Sequence, residues 1–457
     1  MSSYRFTLNN YHAISSAEIA IDGLTVLSGI NGCGKSTISR WLYYLVNGSL
    51  QYENFVYKKY IKTLLAYCRE YDRARQEMYL DDIFIADINK KSGTEKNTYP
   101  SPYFFQRFKL KNRYNEEGAE LTTEYYTKFV DDLSNRLEGF LAGNVPDTTK
   151  KRVLRFLNKD ADYDGNDALL YSSVSDFREA SENVLQRALQ QRALDLEKRP
   201  MHILFESVRD EYEDEIEEPT DMDLTEDGVS IIERNRLAVL LGLRRAIYVD
   251  TPLALRADAL GNRFWEELRN YMNTKITDIG IEGKKMLRRV KDTLQGEVRF
   301  VKSDSPFDTG ELHFFNADNS VEIGINDTAT GFKTFIYLQR LIENGLLDEE
   351  TLFLLDEPEV HLHPQWIVEY AKLLVLLHKK LGVKIVLATH NPDMVAAIQS
   401  IAEREMILDK THFYIAEPGQ KQGAFVFKDL GSNIEEIFSS FNIALERIAL
   451  YGGNCIR

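Results

Sequence analysis

A glycine-rich stretch near the N-terminus has the residue types and spacing of a phosphate-binding loop. It follows the apolar segment 24–28 and consists of Gly29, Ile30, Asn31, Gly32, Cys33, Gly34, Lys35, Ser36 and Thr37. Glycines let backbone N–H groups approach phosphate oxygens without a Cβ clash, and a following helix N-terminus attracts the same anion. Lys35 would add a full positive charge at the β- and γ-phosphates, and the Ser36 hydroxyl could ligate Mg²⁺. We therefore predict a site for ATP and Mg²⁺ at this loop.

Two adjacent acids end a second apolar segment, 352–355. The carboxyl edge of a buried sheet is where nucleotide sites of open α/β folds lie, so Asp356 could hold Mg²⁺ there. Glu357, the next residue, could polarise an attacking water as a general base. The pair predicts that the bound nucleotide is hydrolysed in a Mg²⁺-dependent reaction.

Two further segments could contact the terminal phosphate. His390 follows the apolar segment 383–387 and could donate a hydrogen bond to the γ-phosphate, which would make it a sensor of bound ATP. Thr330 and Gly331 precede a predicted helix, where a hydroxyl and free N–H groups would form another anion site. The alternative for these two residues is an ordinary helix-capping turn.

The elements that must position these residues follow an α/β pattern. Apolar segments alternate with helices, which predicts a sheet covered on both faces. The order of strand, glycine loop and helix at the N-terminus identifies the fold class as a P-loop NTPase. Strands are predicted at 4–9, 16–21, 24–28, 246–249, 297–301, 311–315, 321–325, 351–355 and 383–387, and helices at 37–46, 262–273, 281–293, 332–344 and 364–380.

The middle of the chain differs in character, being rich in Tyr, Arg, Lys and Glu. Helices are predicted near 55–80, 121–142 and 175–197, with a strand at 82–86. The acidic stretch 206–227 is predicted to be an exposed linker or a solvated helix end. The predicted division is therefore an N-terminal part of the ATPase domain at 1–48, a mainly helical insertion at 49–230, and a C-terminal part at 231–457.

Composition limits the partners and the location. A net charge of −15 argues against a whole-surface attraction to nucleic acid, although basic clusters at 150–152 and 284–291 could bind DNA or simply be solvated helix faces. No apolar run approaches the length of a membrane span, and the N-terminus lacks the layout of a signal peptide. We expect a cytoplasmic protein without a membrane partner. The three cysteines form no CxxC pair, so we expect neither a disulfide framework nor a zinc site; a redox role for Cys33 is a minor alternative.

In chain order, the segments at 29–37, 330–333, 356–357 and 390 resemble the Walker A, signature, Walker B and switch-histidine motifs of ABC-type ATPases. The long interval between the first and third motifs resembles the SMC-like branch. The sequences of 356–364 and 389–392 resemble those of OLD-like ATPases, which are common in bacterial anti-phage systems. The resemblance covers about 1–48 and 240–440, and it implies an ABC-type ATPase head with a mixed sheet flanked by helices.

The resemblance also implies a mechanism. Two heads would sandwich two ATP molecules, so that Thr330, Gly331 and Lys333 of one copy act on the ATP held by a second copy of the chain. Gln106 is the candidate for the glutamine that contacts Mg²⁺ or the water. The family has serine where this chain has Thr330, and glycine where it has Phe332, and a bulky side chain there would alter head closure. His361 and His363 could instead form a metal pair, which the lack of a third ligand disfavours.

OLD proteins usually carry a C-terminal Toprim nuclease, and the stretch after His390 is too short for that domain. The resemblance therefore implies a separate effector protein such as a nuclease, as in the PARIS anti-phage system, with ATP binding and head dimerisation acting as the switch. The alternative is an SMC-like DNA-binding or repair ATPase. A transporter subunit is disfavoured by the long insertion.

Overall fold

The computed structural model describes residues 2–88, 114–157, 174–212, 217–251, 262–274, 278–301 and 311–439. The chain forms two compact units. One combines Met1–Leu50 with Leu204–Arg457, and the other is Gln51–Ile203. The first unit carries the residues with predicted chemistry, so its sheet is the element that positions the site.

The described residues of the first unit form fifteen strands. They are β1 Tyr4–Tyr11, β2 Ile14–Ile21, β3 Leu24–Ser28, β4 Met222–Glu226, β5 Val229–Ser230, β6 Ile232–Glu233, β7 Arg236–Leu237, β8 Arg245–Val249, β9 Gly296–Val301, β10 Glu311–Asn316, β11 Glu322–Gly324, β12 Thr351–Asp356, β13 Lys384–Thr389, β14 Thr411–Pro418 and β15 Phe425–Asp429. Ten of them form one sheet in the order β5-β4-β1-β2-β15-β14-β3-β13-β12-β8. Strands β9–β11 form a separate antiparallel sheet.

The large sheet is mixed, with a parallel part that runs from β14 through β3, β13 and β12 to β8. Every residue of β3, β12 and β13 is buried, as expected for parallel strands covered on both faces. Parallel strands end at the same edge, and the register pairs Thr389 with Ser28 and Asp356 with Ala388. The predicted α/β class with a mixed sheet is confirmed, and the three motif-bearing strands end side by side.

Ten α-helices accompany the strands in the described part of the chain. They are α1 Lys35–Ile88, α2 Glu116–Ala142, α3 Asp147–Leu157, α4 Val174–Lys198, α5 Met201–Tyr212, α6 Arg263–Met272, α7 Gly280–Leu294, α8 Thr330–Glu343, α9 Pro364–Leu381 and α10 Pro392–Arg404. The backbone of α1 is non-helical at Gln51, where the first compact unit gives way to the second. Helices α8, α9 and α10 bury apolar faces in the same core as β3, β12 and β13.

The second unit is helical and has its own core. Buried residues of α1, α2 and α4 form it, among them Tyr71, Leu133 and Phe177. Helix α2 begins with a side-chain cap, in which Asn115 Oδ1 accepts from the Gly118 N–H at 3.0 Å. The unit therefore packs around its own apolar residues rather than serving as a solvated linker.

One sequence prediction about the middle of the chain is wrong, and a second is wrong for part of its length. Residues 82–86, predicted as a strand, belong to helix α1, because a short apolar run cannot distinguish a strand from a buried helix segment. The stretch 206–227, predicted as a linker or a helix end, contains most of α5 and the whole of β4, which pairs with β1. Within this stretch, Glu226 accepts from the Tyr4 hydroxyl at 2.7 Å and from the backbone N–H groups of Leu241 and Gly242. The helical unit accordingly ends at Ile203, whereas the predicted insertion ran to 230.

Candidate functional site

The glycine loop connects β3 to α1, and its backbone adopts conformations that favour glycine. The φ angles of Gly32 and Gly34 are +80° and +101°. A Cβ atom on Gly34 would lie 2.6 Å from Cγ1 of Ile14, far inside van der Waals contact. Glycine at position 34 therefore allows the loop to pack against the start of β2.

Lys35 is the first residue of α1 and is buried. Its Nζ donates to the backbone carbonyl of Gly29 at 2.9 Å and to that of Ile30 at 3.0 Å. These bonds hold the ammonium group against the loop whose N–H groups would bind phosphate. Burial raises the pKa of the neighbouring Cys33 thiol, which disfavours the reactive thiolate that a redox role would need.

A cavity of about 460 Å³ opens beside the loop. Its size is within the range of small-molecule and cofactor sites. The residues that line it are Tyr11, His12, Ala13, Asn31, Gly32, Gly34, Lys35, Ser36, Thr37, Arg40, Trp41, Tyr44 and Glu357. The sequence did not predict that the β1–β2 turn and one face of α1 would line the cavity. For the helix a signal existed, since Arg40 and Tyr44 follow Ser36 at four-residue intervals on one face.

Asp356 ends β12 and is buried. Its Oδ2 accepts a hydrogen bond of 2.7 Å from the Tyr248 hydroxyl. Its Oδ1 is buried and has no hydrogen-bond partner among the described residues. Burial raises the pKa of Asp356 above its usual value, while Tyr248 and the nearby hydroxyls of Ser39 and Ser36 act in the opposite direction.

These oxygen atoms fit a magnesium ion. Mg²⁺ in nucleotide sites is bound by one or two protein oxygens and by the phosphates, and a buried carboxylate oxygen near the Ser36 hydroxyl is such a donor set. Gln106, the third predicted ligand, lies outside the described residues. Of the alternative metal pair, His363 is the N-cap of α9 and accepts from the Gln365 N–H. Within the described ranges, no group of three or more metal-binding side chains occurs.

The second acid of the pair faces the cavity and contacts the predicted sensor. Glu357 has a positive φ of 45°, and its N–H donates to the Ala388 carbonyl at 2.8 Å. His390 Nδ1 lies 3.1 Å from Glu357 Oε1 and 4.0 Å from Glu359 Oε1. The structure therefore brings Lys35, Ser36 and Glu357 to one cavity and places His390 beside Glu357.

Glu359 is an additional acid at this edge that the sequence reasoning missed. It is buried, and its Oε1 accepts from the Thr389 hydroxyl at 2.5 Å. The same hydroxyl accepts from the Asn391 N–H at 3.0 Å, so the bonds fix the backbone on both sides of His390. Burial raises the pKa of Glu359.

Residues 1–395 match the family described as AAA ATPase domain, AAA_15. This chain belongs to that family. The ATPase predicted from the motifs is thereby confirmed.

Other comparisons give partial or weak likenesses. The Septu protein PtuA of Bacillus thuringiensis is 31% identical over 145 residues, which are 28% of this chain and about a third, 34%, of that protein. The SMC head domain of Pyrococcus furiosus, solved with an extended coiled coil and the C-terminal domain of ScpA, is 10% identical over 98% of this chain and 100% of that one, with a TM-score of 0.33. The SMC head domain of Thermotoga maritima is 12% identical over 46% of this chain and 65% of that one, with a TM-score of 0.27.

The predicted signature segment of this ATPase lies at the start of α8. Ala329 precedes the helix without a side-chain hydrogen bond, so the capping turn proposed as the alternative is not made by a side chain. Thr330 and Gly331 are partly exposed and are not among the residues that line the cavity of their own chain. Lys333 is buried, and its Nζ is 3.5 Å from the Asn326 carbonyl.

Phe332, which departs from the family pattern, packs into its own chain. Its ring centroid lies 5.1 Å from that of Trp366 and 5.7 Å from that of Phe314. Gly331 beside it approaches another backbone segment, because a Cβ there would be 2.8 Å from the His361 carbonyl oxygen. The signature segment thus contacts the segment that follows Glu357.

The basic cluster at 284–291 is largely paired with acids. Lys284 lies 3.2 Å from Asp278, Lys285 lies 2.6 Å from Glu282, and Lys291 lies 2.5 Å from Glu297. Such pairs reduce the positive potential that phosphate binding needs. Among the described helices of the ATPase, none is long and apolar enough to cross a membrane.

Proposed function

We propose that this ATPase binds Mg-ATP at Gly29–Thr37 and hydrolyses it with Glu357 as the general base. The observation that carries the proposal is the common cavity, because Glu357 lines the same space as Lys35 and Ser36. The buried, unpartnered Oδ1 of Asp356 supports Mg²⁺ binding beside it.

Each residue has a chemical role in this proposal. Backbone N–H groups of the loop and the N-terminus of α1 bind the phosphates, and Lys35 turns from the loop carbonyls towards the γ-phosphate. Ser36 and Asp356 hold Mg²⁺, which neutralises charge on the phosphates when it is bound. Glu357 accepts the proton that the attacking water loses. His390, whose ring lies beside Glu357, donates a hydrogen bond to the γ-phosphate.

The finer proposal is that a second copy of the chain completes the site. Thr330 and Gly331 sit at a helix N-terminus without a side-chain cap, which is suited to an anion. Because these partly exposed residues do not line their own chain's cavity, the phosphate they meet would be held by another copy. ATP binding would then join two heads, and hydrolysis would release them.

A defence role rests on resemblance. The sequences of 356–364 and 389–392 resemble OLD-like ATPases of anti-phage systems, and a partial likeness to a Septu protein supports the same assignment. We therefore propose that head joining controls a separate effector protein, such as a nuclease, in the cytoplasm. A DNA-binding ATPase is the weaker alternative, because acids pair with much of the basic cluster.

ATP hydrolysis and molar mass test the enzymatic proposal together. Wild type should hydrolyse ATP, whereas Lys35→Ala should neither bind nor hydrolyse it. Glu357→Gln should bind ATP, lose hydrolysis and double its molar mass in light scattering with Mg-ATP. Glu369→Gln, in an exposed pair with Lys372 on α9, is the matched control and should behave as wild type. Full activity of Glu357→Gln would contradict the assignment of the base.

A further inference from the structure

The outermost parallel strand, β8, places a tyrosine hydroxyl on the Asp356 carboxylate. Tyr248 is level with Leu354 in the β8–β12 register, two residues before Asp356. Residues two apart in a strand point to the same face, at a spacing of roughly 7 Å that a tyrosine side chain can bridge. The hydroxyl therefore reaches along the strand and donates to Oδ2 at 2.7 Å.

The ring of Tyr248 is fixed by packing. It is 3% exposed, and the Phe264 ring contacts it edge-on with a centroid distance of 4.8 Å. The centroid of the Tyr43 ring lies 6.0 Å from that of Tyr248. A phenolic hydroxyl can donate one hydrogen bond, and the packing of the ring aims that donor at Asp356.

This bond distinguishes the two oxygens of the carboxylate. Oδ2 is occupied by Tyr248, whereas Oδ1 is buried and unpartnered within the described residues. Groups that hydrogen-bond to a metal ligand fix its orientation, and their removal typically weakens metal binding. We propose that Tyr248 is a positioning residue, which holds Oδ2 so that Oδ1 is presented to the divalent cation. This inference rests on the proposed Mg-ATP site.

Tyr248→Phe tests the inference, because it removes the hydroxyl and keeps the ring. The matched control is Tyr43→Phe, which removes a buried hydroxyl of the same aromatic cluster that donates to Glu267 instead. Mn²⁺ binding to the ATPγS-bound chain is followed by electron paramagnetic resonance, and ATPγS binding in EDTA by calorimetry. Tyr248→Phe should weaken Mn²⁺ binding about 10-fold. Its ATPγS affinity in EDTA, and the Mn²⁺ affinity of Tyr43→Phe, should match wild type.

The outcomes separate the inference from the function on which it rests. If wild type fails to bind ATPγS, the proposed function itself is wrong. If wild type binds ATPγS and Mn²⁺ but Tyr248→Phe has an unchanged or tighter Mn²⁺ affinity, the positioning role is overturned. An equal loss in Tyr43→Phe would also overturn it, because the effect would then come from the aromatic packing.

Discussion

Gly34→Ala should damage both the glycine loop and its nucleotide binding. At a φ of +101° a Cβ atom costs roughly 1–2 kcal/mol. The new atom would also lie 2.6 Å from Ile14 Cγ1 and 3.0 Å from Cδ1, and overpacking of this kind costs about 1–3 kcal/mol. The combined strain is about 2–5 kcal/mol if the loop holds its position. If the loop moves to relieve this strain, its backbone N–H groups no longer point at the phosphates.

Urea unfolding and a titration with fluorescent ATP measure the two consequences. Gly34→Ala should unfold at lower urea and bind ATP at least ~10-fold more weakly, which corresponds to about 1.4 kcal/mol. Gly423→Ala is the matched control: its φ is +79°, but no atom lies within 4 Å of the added Cβ. Gly423→Ala should lose only the stability that the positive φ costs, and it should bind ATP with wild-type affinity. Wild-type ATP affinity in Gly34→Ala, with no greater loss of stability than in the control, would refute the steric reasoning.

Three further substitutions have defined outcomes. Gly331→Ala should keep ATP affinity but lower kcat at least ~10-fold. The reason is that the new Cβ would displace the backbone at His361, close in sequence to Glu357. An unchanged kcat in an ATPase assay would contradict this. Burial raises the pKa of Glu267 to about 8 from an ordinary 4.5. The contribution of the protonated carboxyl to the free energy of unfolding is therefore present at low pH and is lost as pH rises from about 4.5 to about 8. The stability of Glu267→Gln relative to wild type should therefore increase as pH rises from 5 to 8, and parallel stability–pH curves for the two proteins would disprove it. Thr389→Val should lower kcat without changing ATP affinity, since it breaks the link to Glu359; equal loss of both would indicate general misfolding.

The sequence allowed the central part of the site to be predicted for physical reasons. Strands β3, β12 and β13 are apolar throughout because both of their faces are buried, and each leads into residues with recognisable chemistry. Parallel strands must end at one edge, so Lys35, Asp356 and His390 could be placed near one another before the structure was known.

The remaining parts of the site depend on contacts that local patterns do not encode. Tyr248 reaches Asp356 only through the register of β8 with β12. The β1–β2 turn joins the cavity because β2 packs against Gly34, which neither segment indicates alone. The run of charges in 206–227 gives no sign that β4 pairs with β1.

A mixing experiment tests the composite site most directly. Lys35→Ala lacks a working loop, and Thr330→Arg blocks the signature segment, so each variant alone should be inactive. In a mixed dimer, the intact loop of one copy meets the intact signature segment of the other. An equimolar mixture should therefore recover about a quarter of wild-type ATPase activity, since half of the dimers are mixed and each has one complete site. A mixture as inactive as its components would contradict a site shared between two copies.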